Sequence, residues 1–327
     1  MRIVVTGGSG FIGRHVVAHL ARRADDVVAL ARDPRAAAGV EALGANVAIS
    51  DLVDVATLEI LMAGADVVIH AAGAYRAGIT KAERPAMLDA NLGTTQRVLD
   101  AAIAAGVPRI VYLSSIGAFG NTNGRVVDES YRRDPADGYL SYYDQSKWLA
   151  HLAAEARIAA GAPVVIIQPG FVYGPGDHSG VGHQLEAAFR GTSSFIGLGG
   201  LGMSLVHVDD LASGIAAAAD RGESGRSYVL GGPNVRFTEA RAAAAAAGGR
   251  RPPRLNVPDW ILRVGARLAP NGGGWFGLDP NLREIVDTSI GVTFWASSAR
   301  AGSELEYAPR GLAEGFAAAY GAGATTA

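Results

Sequence analysis

The chain has no cysteine, and only two of its 327 residues are lysine. Without cysteine it forms no disulfide and no thiolate metal site, so neither staple nor zinc ribbon holds the fold. The scarcity of lysine is not a scarcity of positive charge. Of 29 basic residues, 29 − 2 = 27 are arginine, against 31 acidic ones. Net charge is −2 with both signs scattered, and no basic stripe or cluster offers itself to a nucleic acid or an anionic membrane. No uncharged apolar run is long enough to span a bilayer. A strand pattern starts at residue 2 and leaves no room for a signal peptide, so a soluble, cytoplasmic protein is expected. Apolar residues, by contrast, make up 49% of the chain, ample for the core of one large domain or two lobes.

The first half alternates short apolar runs with amphipathic stretches. Arg2–Thr6, Val27–Leu30, Asn46–Ile49, Val67–His70, Ile110–Leu113 and Val164–Ile167 read as buried strands, being β-branched and bounded by turn residues. Phe11–Arg23, Ala56–Ala63, Ala86–Ala105 and Ser141–Ala160 read as helices between them. Such alternation predicts an α/β fold with a doubly wound, Rossmann-type parallel sheet. After Gln168 the pattern loosens, with Gly and Pro frequent at 170–202, 231–233, 248–253 and 270–280. Helical pieces are expected at about 208–220, 238–247, 258–268, 281–289 and 311–320. The expected division is a nucleotide-binding core over 1–168 and a smaller substrate lobe over 169–327. Segments at 203–206 and 227–230 are expected to return to the core sheet. Alanines along 101–105 and 150–154 suit either a helix-bundle homodimer or packing inside the monomer.

The first strand runs directly into Thr6-Gly7-Gly8-Ser9-Gly10-Phe11-Ile12-Gly13, and a helix pattern follows. Gly7 permits the tight turn, Gly10 a close backbone approach to a pyrophosphate, and Gly13 close helix packing, with the helix N-terminus offering amides and a positive dipole end. A plain glycine-rich turn is the alternative, but a strand before and a helix after favour dinucleotide binding. At the end of the second strand, Ala31 leaves space and Arg32 supplies a charge able to grip a 2′-phosphate, while Asp33 stands one place late for a ribose. That pattern points to NADP, unless Arg32 is merely a surface residue. Asp51 and Leu52 are placed to meet the adenine edge, and a helix cap is the competing role for Asp51.

Lys147 stands four residues after Tyr143, so on a helix the two share a face. A neighbouring ammonium favours phenolate and would lower the Tyr143 pKa toward neutrality, making it a proton donor or acceptor. Ser141 and Asp144 form a capping-box pattern that places Tyr143 in the first helical turn. Ser114 and Ser115 end the fifth strand, where hydroxyls can polarise a substrate carbonyl. Together these motifs resemble the extended short-chain dehydrogenase/reductase family. Further matches are His70-Ala71-Ala72-Gly73, Asn91-Leu92-Gly93-Thr94, Pro169–Asp177, His207–Ala212 and the tail around Trp295–Arg300 and Glu304–Tyr307. Within the family the chain looks most like the dihydroflavonol-4-reductase-like branch.

The resemblance implies that Ser115, rather than Ser114, hydrogen-bonds the substrate carbonyl, that Tyr143 protonates it, and that Lys147 binds the nicotinamide ribose. It also implies cofactor contacts at Ala71, Ala72, Gly73 and Pro169, and a mainly structural Asn91. His207, Asp209 and Asp210 match a common family segment, which makes capping their expected role rather than a metal or a triad. Tyr75-Arg76 and Trp275-Phe276 are candidate pocket walls, with ordinary exposed loop as the plainer reading; His178 and His183 flank a cleft loop.

Three functions compete: an NADP-dependent carbonyl reductase or alcohol dehydrogenase, a nucleotide-sugar epimerase or dehydratase, and a non-catalytic NADP sensor. The intact Ser115, Tyr143 and Lys147 set speaks against the sensor. Phe171, Met203 and Gln168 stand where sugar-nucleotide enzymes of the family carry Asn, Arg and Arg. An apolar pocket with a hydrophobic carbonyl or alcohol as substrate is therefore expected, with Phe171 and Met203 in its wall.

Overall fold

The short apolar runs of the first half lie side by side as one parallel sheet in the computed structural model, which describes residues 1–321 apart from 76–78, 194, 253–254 and 269–281. Its strands are β1 (Arg2–Thr6), β2 (Asp26–Ala31), β3 (Asn46–Ile49), β4 (Val67–His70), β5 (Ile110–Leu113) and β6 (Val164–Pro169). A late strand adds to them beside β6, giving the order Ser227–Leu230, β6, β5, β4, β1, β2, β3. The order reverses between β1 and β4, which opens a crevice at their carboxyl ends where such sheets bind ligands. Both sheet faces are covered, so neighbouring strand residues are buried in opposite directions. Ile3 and Val5 join the core cluster that holds Val16, Leu20, Leu211 and Ile215. Val4 joins the other, with Leu58, Met62, Val98, Tyr112 and Ala150. This two-sided burial is why the strands read as continuous apolar runs.

The helices of this half are α1 (Phe11–Arg22), α2 (Pro34–Glu41), α3 (Val55–Met62), α4 (Arg84–Leu88), α5 (Thr94–Ala104) and α6 (Tyr142–Ala159). Helix α2 escapes the sequence pattern because half of its eight residues are Pro, Gly or exposed polar groups, yet Asp33 caps it by accepting from the Ala36 amide at 2.9 Å. The single helix expected over 86–105 is instead α4, a π-helical turn at Asp89–Gly93 and α5. Ala101, Ala102, Ala150 and Ala154 are buried inside the chain.

The later half supplies β7 (Phe171–Tyr173), β8 (Phe195–Ile196), β9 (Gly202–His207), β10 (Ser227–Leu230), β11 (Asn234–Arg236), β12 (Leu255–Asn256) and β13 (Thr293–Phe294). Only β10 rejoins the core sheet, pairing with β6. The expected return of 203–206 is corrected: β9 is the shared strand of a second sheet with β7, β11 and β13. The place beside β6 is already taken by β10, and the far edge of β10 is closed by the Glu129 carboxylate, which accepts from the Val229 amide at 2.8 Å.

Helices α7 (Gly180–Arg190), α9 (Phe237–Ala247) and α13 (Leu312–Tyr320) pack on the second sheet, α8 (Val208–Arg221) and α12 (Ala299–Leu305) serve the core sheet, and α10 (Asp259–Leu268) and α11 (Leu282–Asp287) pack on each other. The lobe core gathers Tyr173, Leu185, Met203, Leu205, Phe237 and Phe316. Met203 is 0% exposed there. This corrects its expected place in a pocket wall, since the side chain leaves the face of β9 into the cluster that Leu185, Phe237 and Phe316 of the covering helices complete.

Met203→Ala should therefore behave as a core truncation. Its unfolding free energy in denaturant should fall by about 2–5 kcal/mol. A loss within experimental error would mean that the side chain is not packed.

Candidate active site

The glycine turn after β1 is shaped by contacts that admit no side chain. Gly7 has φ +71°, and a Cβ there would lie 2.6 Å from the Ala72 amide nitrogen. A Cβ on Gly13 would lie 2.0 Å from the Gly7 carbonyl oxygen. The turn thus packs directly against Ala71-Ala72, which follow β4. Gly10 is the N-cap of α1 and provides no side-chain cap bond. The first-turn amides of Phe11, Ile12 and Gly13 are left for an anion, as a dinucleotide pyrophosphate requires. Thr6 is fully buried, its hydroxyl 2.7 Å from His70 Nδ1, so it ties β1 to β4 across the crevice. His70 Nε2 meets the Thr95 hydroxyl at 3.2 Å, and burial holds the imidazole neutral with a pKa near 3.

At the adenosine end Arg32 is exposed, and Asp33 is committed to capping α2. Asp51 accepts from the Val53 amide at 3.1 Å, while Asp54 caps α3, so the capping role foreseen for Asp51 falls three residues later. Leu52 has φ +63°, a left-handed backbone that costs a non-glycine residue on the order of 1–3 kcal/mol. Its carbonyl accepts from Arg97 Nε at 2.9 Å, which helps to hold that conformation.

Helix α6 carries Tyr143 and Lys147 onto the end of β5. Ser141 caps it through the Asp144 amide at 3.1 Å, but the reciprocal half of the box does not form. The Asp144 carboxylate turns instead to the Leu140 amide and to Arg133, an ion pair of 3.0 Å buried on both sides. Arg133 also lies over the Tyr139 and Trp148 rings, at 4.8 and 5.8 Å. Sequence reading passed over this anchor, because nothing in the order of residues links 133 to 144. Asn91, in the π-helical turn, accepts from the Ala74 amide and donates to the Ala74 carbonyl and the Ser146 hydroxyl, at 2.8, 3.1 and 2.9 Å. It thereby ties the loop after β4 to the helix of Tyr143. π-Helical turns often mark functional sites.

The Ser115 hydroxyl lies near enough to the Tyr143 phenol to favour its ionised form. Ser115 also accepts from the Gly117 amide at 3.0 Å. Burial pushes the Tyr143 pKa above its ordinary value, the nearby Tyr75 adds to this, and Ser115 pulls back. The expected lowering by Lys147 is absent from that balance. The Lys147 ammonium donates instead to the Leu113 carbonyl at 3.0 Å and lies 5.7 Å from the centre of the Tyr112 ring. Burial lowers the Lys147 pKa to about 8. The other lysine, Lys81, is exposed.

Tyr75 stands edge-on to Tyr143 with ring centroids 4.8 Å apart, yet is itself largely exposed. Phe171 is half-buried against Phe294, at 5.5 Å. Pro169 is buried at the end of β6. Arg76, Trp275 and Phe276 lie outside the described residues. His178 and His183 are exposed neighbours. His207 caps α8 through the Asp209 amide, Asp210 pairs with Arg310, and Asp209 meets His15 at 2.7 Å. Among the described residues no cluster is grouped to hold a metal ion, and no helix is long and apolar enough to cross a membrane.

The buried ammonium has a measurable signature. Between pH 8 and 10.5 the unfolded chain keeps a proton on Lys147 that the folded one has lost, so stability rises with pH across that window. Relative to Lys147→Met, the native protein should gain on the order of 3 kcal/mol from pH 8 to 10.5. Parallel pH–stability curves for the two proteins would exclude a depressed Lys147.

A family pattern for NAD dependent epimerases and dehydratases matches residues 3–231. A protein of Synechocystis sp. with the provisional name dihydroflavonol 4-reductase is 31% identical over 79% of this chain and 75% of its own length. The 4-hydroxy-2-methyl-3-oxo-4-farnesyl-3,4-dihydroquinoline-1-oxide ketoreductase of Stigmatella aurantiaca is 30% identical over 95% of this chain and 92% of its own. The crystal structure of gox2253 superposes with a TM-score of 0.82 at 29% identity, covering 97% of this chain and 96% of the other. With the glycine turn, the paired Ser115 and Tyr143 and the buried Lys147 in place, the chain belongs to the NAD dependent epimerase/dehydratase family, the extended short-chain dehydrogenases/reductases that its motifs resemble.

Proposed function

We propose that the protein is an NADP(H)-dependent oxidoreductase that interconverts a ketone or aldehyde with the alcohol of a hydrophobic small molecule. The observation that carries this reading is the Tyr143 phenol beside the Ser115 hydroxyl at the carboxyl end of the sheet, with Lys147 one helical turn away. A bound reduced nicotinamide would supply the hydride. Gly7, Gly10 and the amides of Phe11–Gly13 would hold its pyrophosphate, with Arg32, Asp51 and Leu52 at the adenosine end and Ala71–Gly73, Lys147 and Pro169 toward the nicotinamide. Ser115 donates a hydrogen bond to the substrate carbonyl oxygen. Tyr143, with its pKa raised, keeps its proton across the neutral range and gives it to that oxygen as negative charge develops. The Ser115 hydroxyl favours the phenolate that remains, and Tyr75 stands edge-on to Tyr143 and screens the pair on one side.

The 2′-phosphate preference rests on an exposed Arg32 and on an Asp33 already occupied as a cap. The apolar substrate rests on Phe171 against Phe294 and on the farnesylated ketone in the name of the Stigmatella relative. A nucleotide-sugar epimerase or dehydratase is the second reading, favoured by the name of the family itself. NADPH consumption across a panel of ketones, aldehydes and UDP- or dTDP-sugars separates the two; tight, saturable sugar-nucleotide binding would reject the apolar substrate.

Tyr143→Phe should keep its fold and NADPH affinity while kcat falls on the order of 10²–10⁴-fold. Near-normal turnover would reject Tyr143 as the acid. Arg32→Ala should weaken NADPH on the order of 10–100-fold, the worth of a charge-assisted phosphate contact. NADH should be nearly unaffected, and an equal loss for both cofactors in fluorescence titrations would point to adenine stacking instead.

A further inference from the structure

One chain of side chains below the site takes no part in the reaction just described. Ser114 Oγ lies 2.9 Å from His151 Nδ1, and His151 Nε2 lies 3.4 Å from Glu155 Oε1. Arg132 holds the same Glu155 oxygen at 3.2 Å. Ser114 and His151 are both 5% exposed, and the Trp148 ring stacks on the imidazole at 8° and 6.1 Å. A carboxylate only accepts, so Glu155 draws the imidazole hydrogen to Nε2. With the ring hydrogen on Nε2, Nδ1 carries the lone pair and accepts from the Ser114 hydroxyl. The trio has the composition of a hydrolase triad, but Ser114 is buried, and a substrate acyl group does not reach it.

We propose that Ser114, His151 and Glu155 form a positioning chain that sets Ser115 against Tyr143. This rests on the reaction proposed above. Tyr143, Lys147, His151 and Glu155 recur every four residues and share one stripe of α6. The first three face successive residues of the strand end: Lys147 bonds the Leu113 carbonyl, His151 bonds the Ser114 hydroxyl, and Tyr143 stands near the Ser115 hydroxyl. Ser115 follows Ser114 directly and its backbone is extended, so a single planar peptide links the two side chains. Pinning Ser114 thus fixes the direction in which Ser115 points.

The test compares His151→Leu and His151→Gln in the native and Ser115→Ala backgrounds, with turnover, NADPH affinity, melting temperature and crystal structures as readouts. His151→Leu should lower kcat on the order of 10–10²-fold, the effect of a misplacement near 1 Å, with NADPH affinity unchanged. His151→Gln, whose amide oxygen accepts from Ser114, should recover most of the loss. In the Ser115→Ala background His151→Leu should cost nothing further. The crystal structure of His151→Leu in the native background should show Ser115 displaced relative to Tyr143. An unmoved Ser115, an equal kcat loss in both backgrounds, or a loss that follows melting temperature without rescue by glutamine would overturn the positioning chain. Turnover that survives Tyr143→Phe would reject the reaction itself, and the crystal structures then decide the positioning chain alone.

Discussion

The site depends on how α6 is seated on the end of β5, and a buried ammonium is at the centre of that contact. Lys147 has left water, burial lowers its pKa, and among the described residues no carboxylate forms an ion pair with it. Its compensation is the Leu113 carbonyl at 3.0 Å and the face of Tyr112. A buried charge held by a single carbonyl is costly, and packing elsewhere must keep it there. The Arg133–Asp144 pair anchors the first turn of the helix, and Glu155 with Arg132 anchors the fourth. Asn91 fastens the same helix to the loop after β4. Catalytic alignment is thus enforced from several elements rather than by the reacting residues alone.

The core sheet was legible in the sequence because its strands are buried on both faces, which leaves uninterrupted β-branched runs such as Val67–His70 and Ile110–Leu113. The glycine turn and the Tyr143–Lys147 spacing were legible because their chemistry is local. Helices α7 and α12 were missed, since Gly180 and Gly182 blur the start of the first and the second has only seven residues. Strand β9 was recognised but assigned to the wrong sheet, because pairing partners are not written in a strand's own residues. The electrostatics misled for a related reason. Spacing places Lys147 near Tyr143, but only the packed structure reveals that burial outweighs the attraction and that the ammonium turns to Leu113. Arg133, His151 and Glu129 act on partners 11, 37 and 100 residues away, which no motif connects.

The two lysines carry a consequence for the chemistry of the surface. Lys81 is exposed and Lys147 is sealed beneath the site. To an acylating reagent that seeks lysine amines, the folded protein offers Lys81. The 27 arginines carry charge without nucleophilicity. Such a reagent therefore distinguishes the two lysines and leaves the buried ammonium of Lys147 untouched until the fold opens.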